Sequence, residues 1–151
     1  MITMKIALGC DHGGFEVAQA LRAYLRDQGI EYRDFGTNST ESVDYPPIAA
    51  SVARDVVEGQ ADLGVLVCST GIGISIAANK VKGARAAVCT NELCARLTRN
   101  DNDSNILCIG GKVVDCDTAV KIFDTFIHTS FEGGRHARRV GQIVQIENGE
   151  L

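Results

Sequence analysis

Leu63-Gly64-Val65-Leu66-Val67-Cys68-Ser69-Thr70-Gly71-Ile72-Gly73-Ile74-Ser75-Ile76-Ala77-Ala78-Asn79-Lys80 is the stretch whose reading decides the fold. Apolar residues around a single glycine read as a buried strand. Gly71 and Gly73 then sit two apart among Ser69, Thr70 and Ser75, and Ile74, Ala77 and Ala78 take up helical spacing. Strand, glycine-rich turn and helix in that order aim backbone N–H groups and the positive end of a helix dipole at one point. An anion belongs there: a phosphate, a carboxylate or an oxyanion formed during a reaction. The spacing is not the dinucleotide-binding G-x-G-x-x-G, and the chain has no G-x-x-x-x-G-K-[ST] loop. Cys68 closes the strand at the mouth of this anion site. A thiolate is favoured beside a helix N-terminus, which gives this cysteine a reason to be reactive. The competing reading is a small core hydrophobe, as most unpaired cysteines are.

Working outward, the elements on either side repeat the pattern. Ile6-Ala7-Leu8, within Lys5 to Cys10, reads as a first strand, followed by the turn Gly9-Cys10-Asp11-His12-Gly13-Gly14. Val17, Ala18, Leu21 and Leu25 share a helical face that Gly29 ends. Tyr32 to Phe35 is a second strand, Gly36 to Tyr45 a polar loop, and Pro46-Pro47 opens the helix carrying Ile48, Val52 and Val56. Beyond the central stretch, Ala84 to Val88 is a fourth strand, and Thr90 caps a helix reaching about Asn100. Ile106 to Ile109 is a fifth strand. Ala119, Ile122, Phe123, Phe126 and Ile127 form a helical stripe with Asp115 or Asp117 near its start. After Gly133-Gly134 comes a polar tail. Five strands alternating with helices predict a Rossmann-like three-layer α/β/α sandwich on a parallel five-stranded sheet. Ligands of such sheets bind at the carboxyl ends of the strands, so Asp11-His12 and Cys68-Ser69-Thr70 are expected to meet at one crevice.

The chain has 151 residues, 45% of them hydrophobic. Its mean hydropathy is +0.03. It is expected to form one domain over residues 1–151 with its own core. A net charge of −4 gives no general attraction for nucleic acid or an anionic membrane. An anionic substrate therefore needs a local basic patch. No export signal precedes the first strand and no apolar run is long enough to span a bilayer, which predicts a cytoplasmic protein. The six cysteines then read as free thiols, and without a C-x-x-C pair no zinc cluster is expected.

Asp11 and His12 sit between glycines at a strand end, where loops carry sites. The plainer reading of Asp11 is an Asx turn that caps the next helix. Further histidine or cysteine ligands at helpful spacing are missing, which argues against a metal. Arg135 and Arg139 are four apart and on a helix would share a face, as two guanidinium forks suited to a phosphate dianion. The plainer reading is a solvated basic tail. The run from Thr98 to Asn105 reads as a helix C-terminus and turn.

Gly9-Cys10-Asp11-His12-Gly13-Gly14, Asp44-Tyr45-Pro46, Cys68 through Lys80, Asn102-Asp103-Ser104-Asn105 and Glu132-Gly133-Gly134-Arg135-His136 together resemble one family. It is that of ribose-5-phosphate isomerase B and the galactose-6-phosphate isomerase subunits, and the resemblance runs in order along nearly the whole chain. It implies an aldose–ketose isomerase of sugar phosphates that works as a homodimer, or a tetramer, with no metal or cofactor. It implies Cys68 as the base, with Thr70 and the N–H groups around Gly71, Gly73 and Ser75 stabilising an enediolate, and Ser69 among the substrate-binding residues. Asp11 and His12 would contact substrate oxygens, and Tyr45 would line the pocket. Asn102, Arg135 and Arg139 would reach across from the partner subunit, the arginines gripping phosphate.

Two positions depart from the family pattern. A histidine thought to open the furanose ring is replaced by Asp101, and a phosphate-binding arginine by Lys112, which keeps the charge without the fork. Either Asp101 takes over ring opening or the substrate needs none, as for a tetrulose 4-phosphate. Allose 6-phosphate and galactose 6-phosphate are further alternatives, and so is a non-catalytic sugar-phosphate-binding subunit.

Overall fold

The structure is a computed structural model that describes residues 3–151. The chain runs β1 (Lys5–Cys10), a 3-10 turn (His12–Gly14), α1 (Phe15–Asp27), β2 (Glu31–Asp34), α2 (Tyr45–Val57), β3 (Leu63–Cys68), α3 (Ile72–Ala78), β4 (Ala86–Val88), α4 (Glu92–Asn102), β5 (Ile106–Gly110), α5 (Cys116–Ile127) and α6 (Arg135–Glu147). The strands make one sheet in the order β2-β1-β3-β5-β4, and every pairing is parallel. The strand order reverses between β1 and β3, so the switch point falls where Cys10 and Cys68 end their strands, with Asp11 next in the chain.

β3 and β5 are buried along their whole length, as continuous apolar runs in a doubly covered sheet must be. One face packs Val52, Ala53 and Val56 of α2 and Ile74 and Ala78 of α3 against Ala7, Leu66 and Ile106. The other packs Val17, Leu21 and Leu25 of α1 and Ile122, Phe123 and Phe126 of α5 against Ile6, Leu8, Val65 and Leu107. The result is the three-layer sandwich read from the alternation. α6 lies outside these layers: it packs on α4, and residues 141–147 are exposed throughout.

Several boundaries move. β4 starts at Ala86 rather than Ala84, because the Ala84 N–H is spent on the Val81 carbonyl, closing a turn (3.0 Å). α4 is capped by Asn91 rather than Thr90, its Oδ1 accepting from the Cys94 N–H at 2.8 Å. That helix runs two residues past Asn100 and stops where Asp103 turns left-handed at φ 48°. The tail after Gly134 is helical from Arg135 to Glu147. Asp115 is the cap of α5, accepting from Thr118 N–H at 2.8 Å.

Candidate active site

Three strand ends are pinned together by backbone hydrogen bonds. The Asp11 N–H donates to the Val67 carbonyl (3.1 Å), the Gly111 N–H to Cys68 (2.7 Å) and the Lys112 N–H to Ser69 (2.9 Å). The fit is close: a Cβ on Gly13 would collide with Ser69 Oγ, and one on Gly111 would lie 2.7 Å from the Gly13 carbonyl oxygen. Asp11, His12, Ser69, Thr70 and Lys112 are thereby gathered at one carboxyl edge, though they span a hundred residues of sequence.

Cys68 sits at the floor of this edge, 5% exposed. Its Sγ accepts the Gly71 N–H at 3.1 Å. A thiolate accepts such a bond more strongly than a thiol does. Gly71 makes this possible by turning left-handed at φ 80°, a conformation costly to residues with a Cβ. Other thiols are set against ionisation. Burial pushes Cys89 up to about 12 and Cys108 well above the ordinary thiol range. Burial also raises Cys10, more than the neighbouring Arg22 lowers it. All six cysteines are free.

The first turn of α3 shows which donors remain for a ligand. Gly71 N–H goes to Cys68 Sγ, Ile72 N–H to Thr70 Oγ1 at 3.2 Å, and Ser75 N–H to the Gly71 carbonyl at 3.2 Å. Ser75 also gives its hydroxyl proton to the Ile72 carbonyl at 2.7 Å. Ser75 is thus committed inside the helix, where it fixes the turn. Among the described residues no acceptor takes the Gly73 or Ile74 N–H, as expected for amides in a helix's first turn. Ile74 is a donor that sequence reasoning missed: a backbone amide leaves no mark in the side-chain pattern. Thr70 accepts with its oxygen and keeps its own hydroxyl proton to offer. Tyr45, the first residue of α2, lies over the same turn. A Cβ on Gly73 would come within 2.9 Å of the Tyr45 ring and hydroxyl.

Asp11 is the Asx cap of the plainer reading: its Oδ1 accepts from Gly13 and Gly14 N–H at 2.9 and 3.2 Å. Oδ2 is left for a ligand. His12 Nδ1 accepts the Val43 N–H at 3.2 Å, which ties the polar loop to the site.

Asp101, Asn102, Arg135 and Arg139 lie elsewhere in the protomer. α4 runs antiparallel to the strands it joins, so its last turn stands at the amino edge of the sheet, beside Asn105. A strand as long as β5 separates that edge from Cys68 by roughly 15 Å. There Asp101 Oδ1 lies 3.5 Å and Glu132 Oε2 4.0 Å from Nε2 of His136, which is 8% exposed. Arg135 and Arg139 are exposed, and among the described residues neither makes an ion pair. No described helix is long and apolar enough to cross a membrane.

Known proteins match both the sequence and the fold. The sequence pattern of the Ribose/Galactose Isomerase family fits residues 6–143. Ribose-5-phosphate isomerase B of Escherichia coli is 48% identical over 95% of this chain and 96% of its own. A putative sugar phosphate isomerase of Bacillus subtilis is 43% identical over 98% and 100%. Among solved structures, ribose-5-phosphate isomerase B of Clostridium thermocellum superposes with a TM-score of 0.95 at 51% identity, covering 98% of this chain and 100% of that one. The type B enzyme of Trypanosoma brucei gives 0.91 at 42% identity, with 96% and 99% coverage. With a family match over most of its length and relatives this similar, the chain belongs to the ribose/galactose isomerase family.

Proposed function

We propose that the protein interconverts the aldose and ketose forms of a phosphorylated sugar, with ribose 5-phosphate and ribulose 5-phosphate as the pair. The observation that carries this is the Cys68 sulfur, hydrogen-bonded by Gly71 N–H beside two unclaimed amides, Gly73 and Ile74. The thiolate takes the C2 proton of the open-chain aldose. The C–H electron pair becomes the C1–C2 double bond, and the carbonyl pair moves onto O1. Preorganised donors hold that oxyanion, and removing one such donor typically costs about 3–4 kcal/mol. A proton passes from O2 to O1, C2 becomes the carbonyl, and the Cys68 thiol returns its proton to C1. Nothing is oxidised or reduced overall, so the reaction calls for no redox cofactor. Thr70 donates its hydroxyl to the same oxygens, and Asp11, His12, Ser69 and Tyr45 fix the sugar. Lys112 supplies a point charge to the phosphate.

The site is completed in this reading by a second copy, which brings Asn102, Arg135 and Arg139 to the phosphate end and Asp101 to the ring oxygen. Two facts support a homodimer. These residues cannot reach Cys68 within one protomer across the width of the sheet. Ile72 and Ile76 of α3, Leu93 and Leu97 of α4, and Ile143, Val144 and Ile146 of α6 are exposed on elements flanking the β4 edge. Apolar side chains left exposed on these three elements are what a subunit interface would cover. Further pairing into a tetramer would use another face. The acidic net charge gives no general attraction for nucleic acid or an anionic membrane. A cytoplasmic enzyme of sugar metabolism suits the free thiols.

One observation favours a second substrate. Asp101 is turned toward the His136 imidazole, so its carboxylate is less free to assist furanose opening. A tetrulose 4-phosphate, whose C4 oxygen carries the phosphate, cannot close such a ring. Kinetics on ribose 5-phosphate, erythrulose 4-phosphate, allose 6-phosphate and galactose 6-phosphate test both readings. The highest kcat/KM is expected for the pentose. A preference for erythrulose 4-phosphate would move the assignment to the tetrose, and binding without turnover on all four would make the protein a ligand-binding subunit.

A further inference from the structure

We infer that the backbone amide of Val43 is a positioning group for the site: by donating to His12 Nδ1 it holds the imidazole as an Nε2–H donor. The inference rests on the isomerase reading above and concerns how that site is kept in its working form.

A neutral imidazole carries one proton, and the bond made by one ring nitrogen decides which nitrogen holds it. The Val43 N–H points at Nδ1 from 3.2 Å, across 31 residues of sequence. Nδ1 is therefore the bare nitrogen and Nε2 carries the hydrogen. Among the described residues nothing accepts from Nε2, which leaves that hydrogen for a sugar oxygen. His12 in this form gives a hydrogen bond and cannot take up a proton through Nε2. The division of labour with Cys68 follows: the sulfur moves the proton and the imidazole holds an oxygen.

The same bond couples two parts of the pocket. The exposed loop after β2 is fixed at its start, where Gly36 N–H meets Asp34 Oδ1 at 2.9 Å and Thr37 N–H meets the Cys10 carbonyl at 3.0 Å. Its far end is held through Val43, two residues before Tyr45, whose ring rests on Gly73. The base of His12 is rigid as well, since Asp11 caps its turn and is bonded to Val67. The loop is thus clamped between a rigid imidazole and a rigid helix start.

The test is nitrogen-15 NMR of the histidine rings in the full chain, at a pH well above the ordinary imidazole range, together with steady-state kinetics. Wild type is expected to show His12 with a bare Nδ1, and a through-hydrogen-bond coupling from Nδ1 to the Val43 amide. Val43→Ala keeps the N–H and should keep the tautomer. Val43→Pro removes the donor. It should give mixed tautomers and a KM raised by roughly two- to tenfold, as for loss of one hydrogen bond, with a smaller change in kcat. An Nδ1–H tautomer in wild type overturns the inference, as does a Val43→Pro protein with the wild-type tautomer and KM. If Val43→Pro does not fold, the wild-type tautomer and coupling decide alone. A chain with the expected tautomer that isomerises no sugar phosphate keeps the clamp and defeats the functional reading instead.

Discussion

The carboxyl edge of the sheet and the corner where α6 meets α4 both carry residues suited to a sugar phosphate, on different foundations. At the edge, Asp11, Cys68 and Lys112 are fixed through main-chain hydrogen bonds between strand ends. At the corner, the Glu132 N–H to Asn100 bond (3.1 Å) and the Arg99 Nε–H to Thr129 carbonyl bond (3.1 Å) anchor the segment leading into α6. Beyond them Arg135 and Arg139 stand exposed. The edge is finished within one chain: its geometry is set before any ligand arrives, which is what charge stabilisation in a reaction requires. The corner presents charge and apolar surface without a surface of its own to complete.

The comparison breaks first at Cys68. Cys68→Ala should lower kcat by about a thousandfold or more, in the range for loss of a positioned proton-transfer group. Sugar-phosphate binding, followed by calorimetry, should largely survive. Activity within a few-fold of wild type would move the base elsewhere.

Next comes the corner. Arg135→Ala or Arg139→Ala should cost roughly tenfold to a hundredfold in kcat/KM, as for a hydrogen-bonded charge removed from a phosphate. Mixing a Cys68→Ala chain with an Arg139→Ala chain sharpens the contrast. If sites are shared, a mixed dimer has one site with both defects and one with neither, so activity should rise above that of either parent. No recovery after subunit exchange would place both regions in separate sites.

Gly73→Ala tests the edge alone. The added methyl meets the Tyr45 ring at 2.9 Å and should raise KM by roughly tenfold through displacement of that ring, with thermal stability lowered as well. The smallest effect concerns folding away from both regions. The Thr118 N–H holds the Asp115 carboxyl below its ordinary range. A value lowered on folding stabilises the native state at neutral pH, and that contribution fades as pH falls through the lowered value. The Tm gap between wild type and Asp115→Ala should therefore be open at pH 7 and close in acid. A gap that is constant with pH would assign the cap no charge component.

The edge was largely legible in the sequence and the corner was not. β1, β3 and β5 announce themselves because a doubly covered strand must be apolar along its length, and the glycines around Cys68 mark where backbone approaches backbone. Chemistry made by amides leaves no such trace: Gly73 is marked by its missing side chain, while the Ile74 N–H shows as a donor only in the folded turn, where no described residue accepts it. Thr90 and Asn91 are both able caps, and only the chain path chose Asn91. α6 reads as a polar tail in sequence because its one buried residue is His136 and it turns no apolar stripe toward the sheet. Its Ile143, Val144 and Ile146 look outward, so a pattern defined by core burial could not register them.

The width of the sheet between Cys68 and the two exposed arginines has a kinetic consequence. On the proposed pairing, a chain diluted below its dimer dissociation constant carries two unfinished halves and turns over very little. Output in that regime would rise with the square of the amount of chain present, so a cell that doubles expression would quadruple flux, with no effector required.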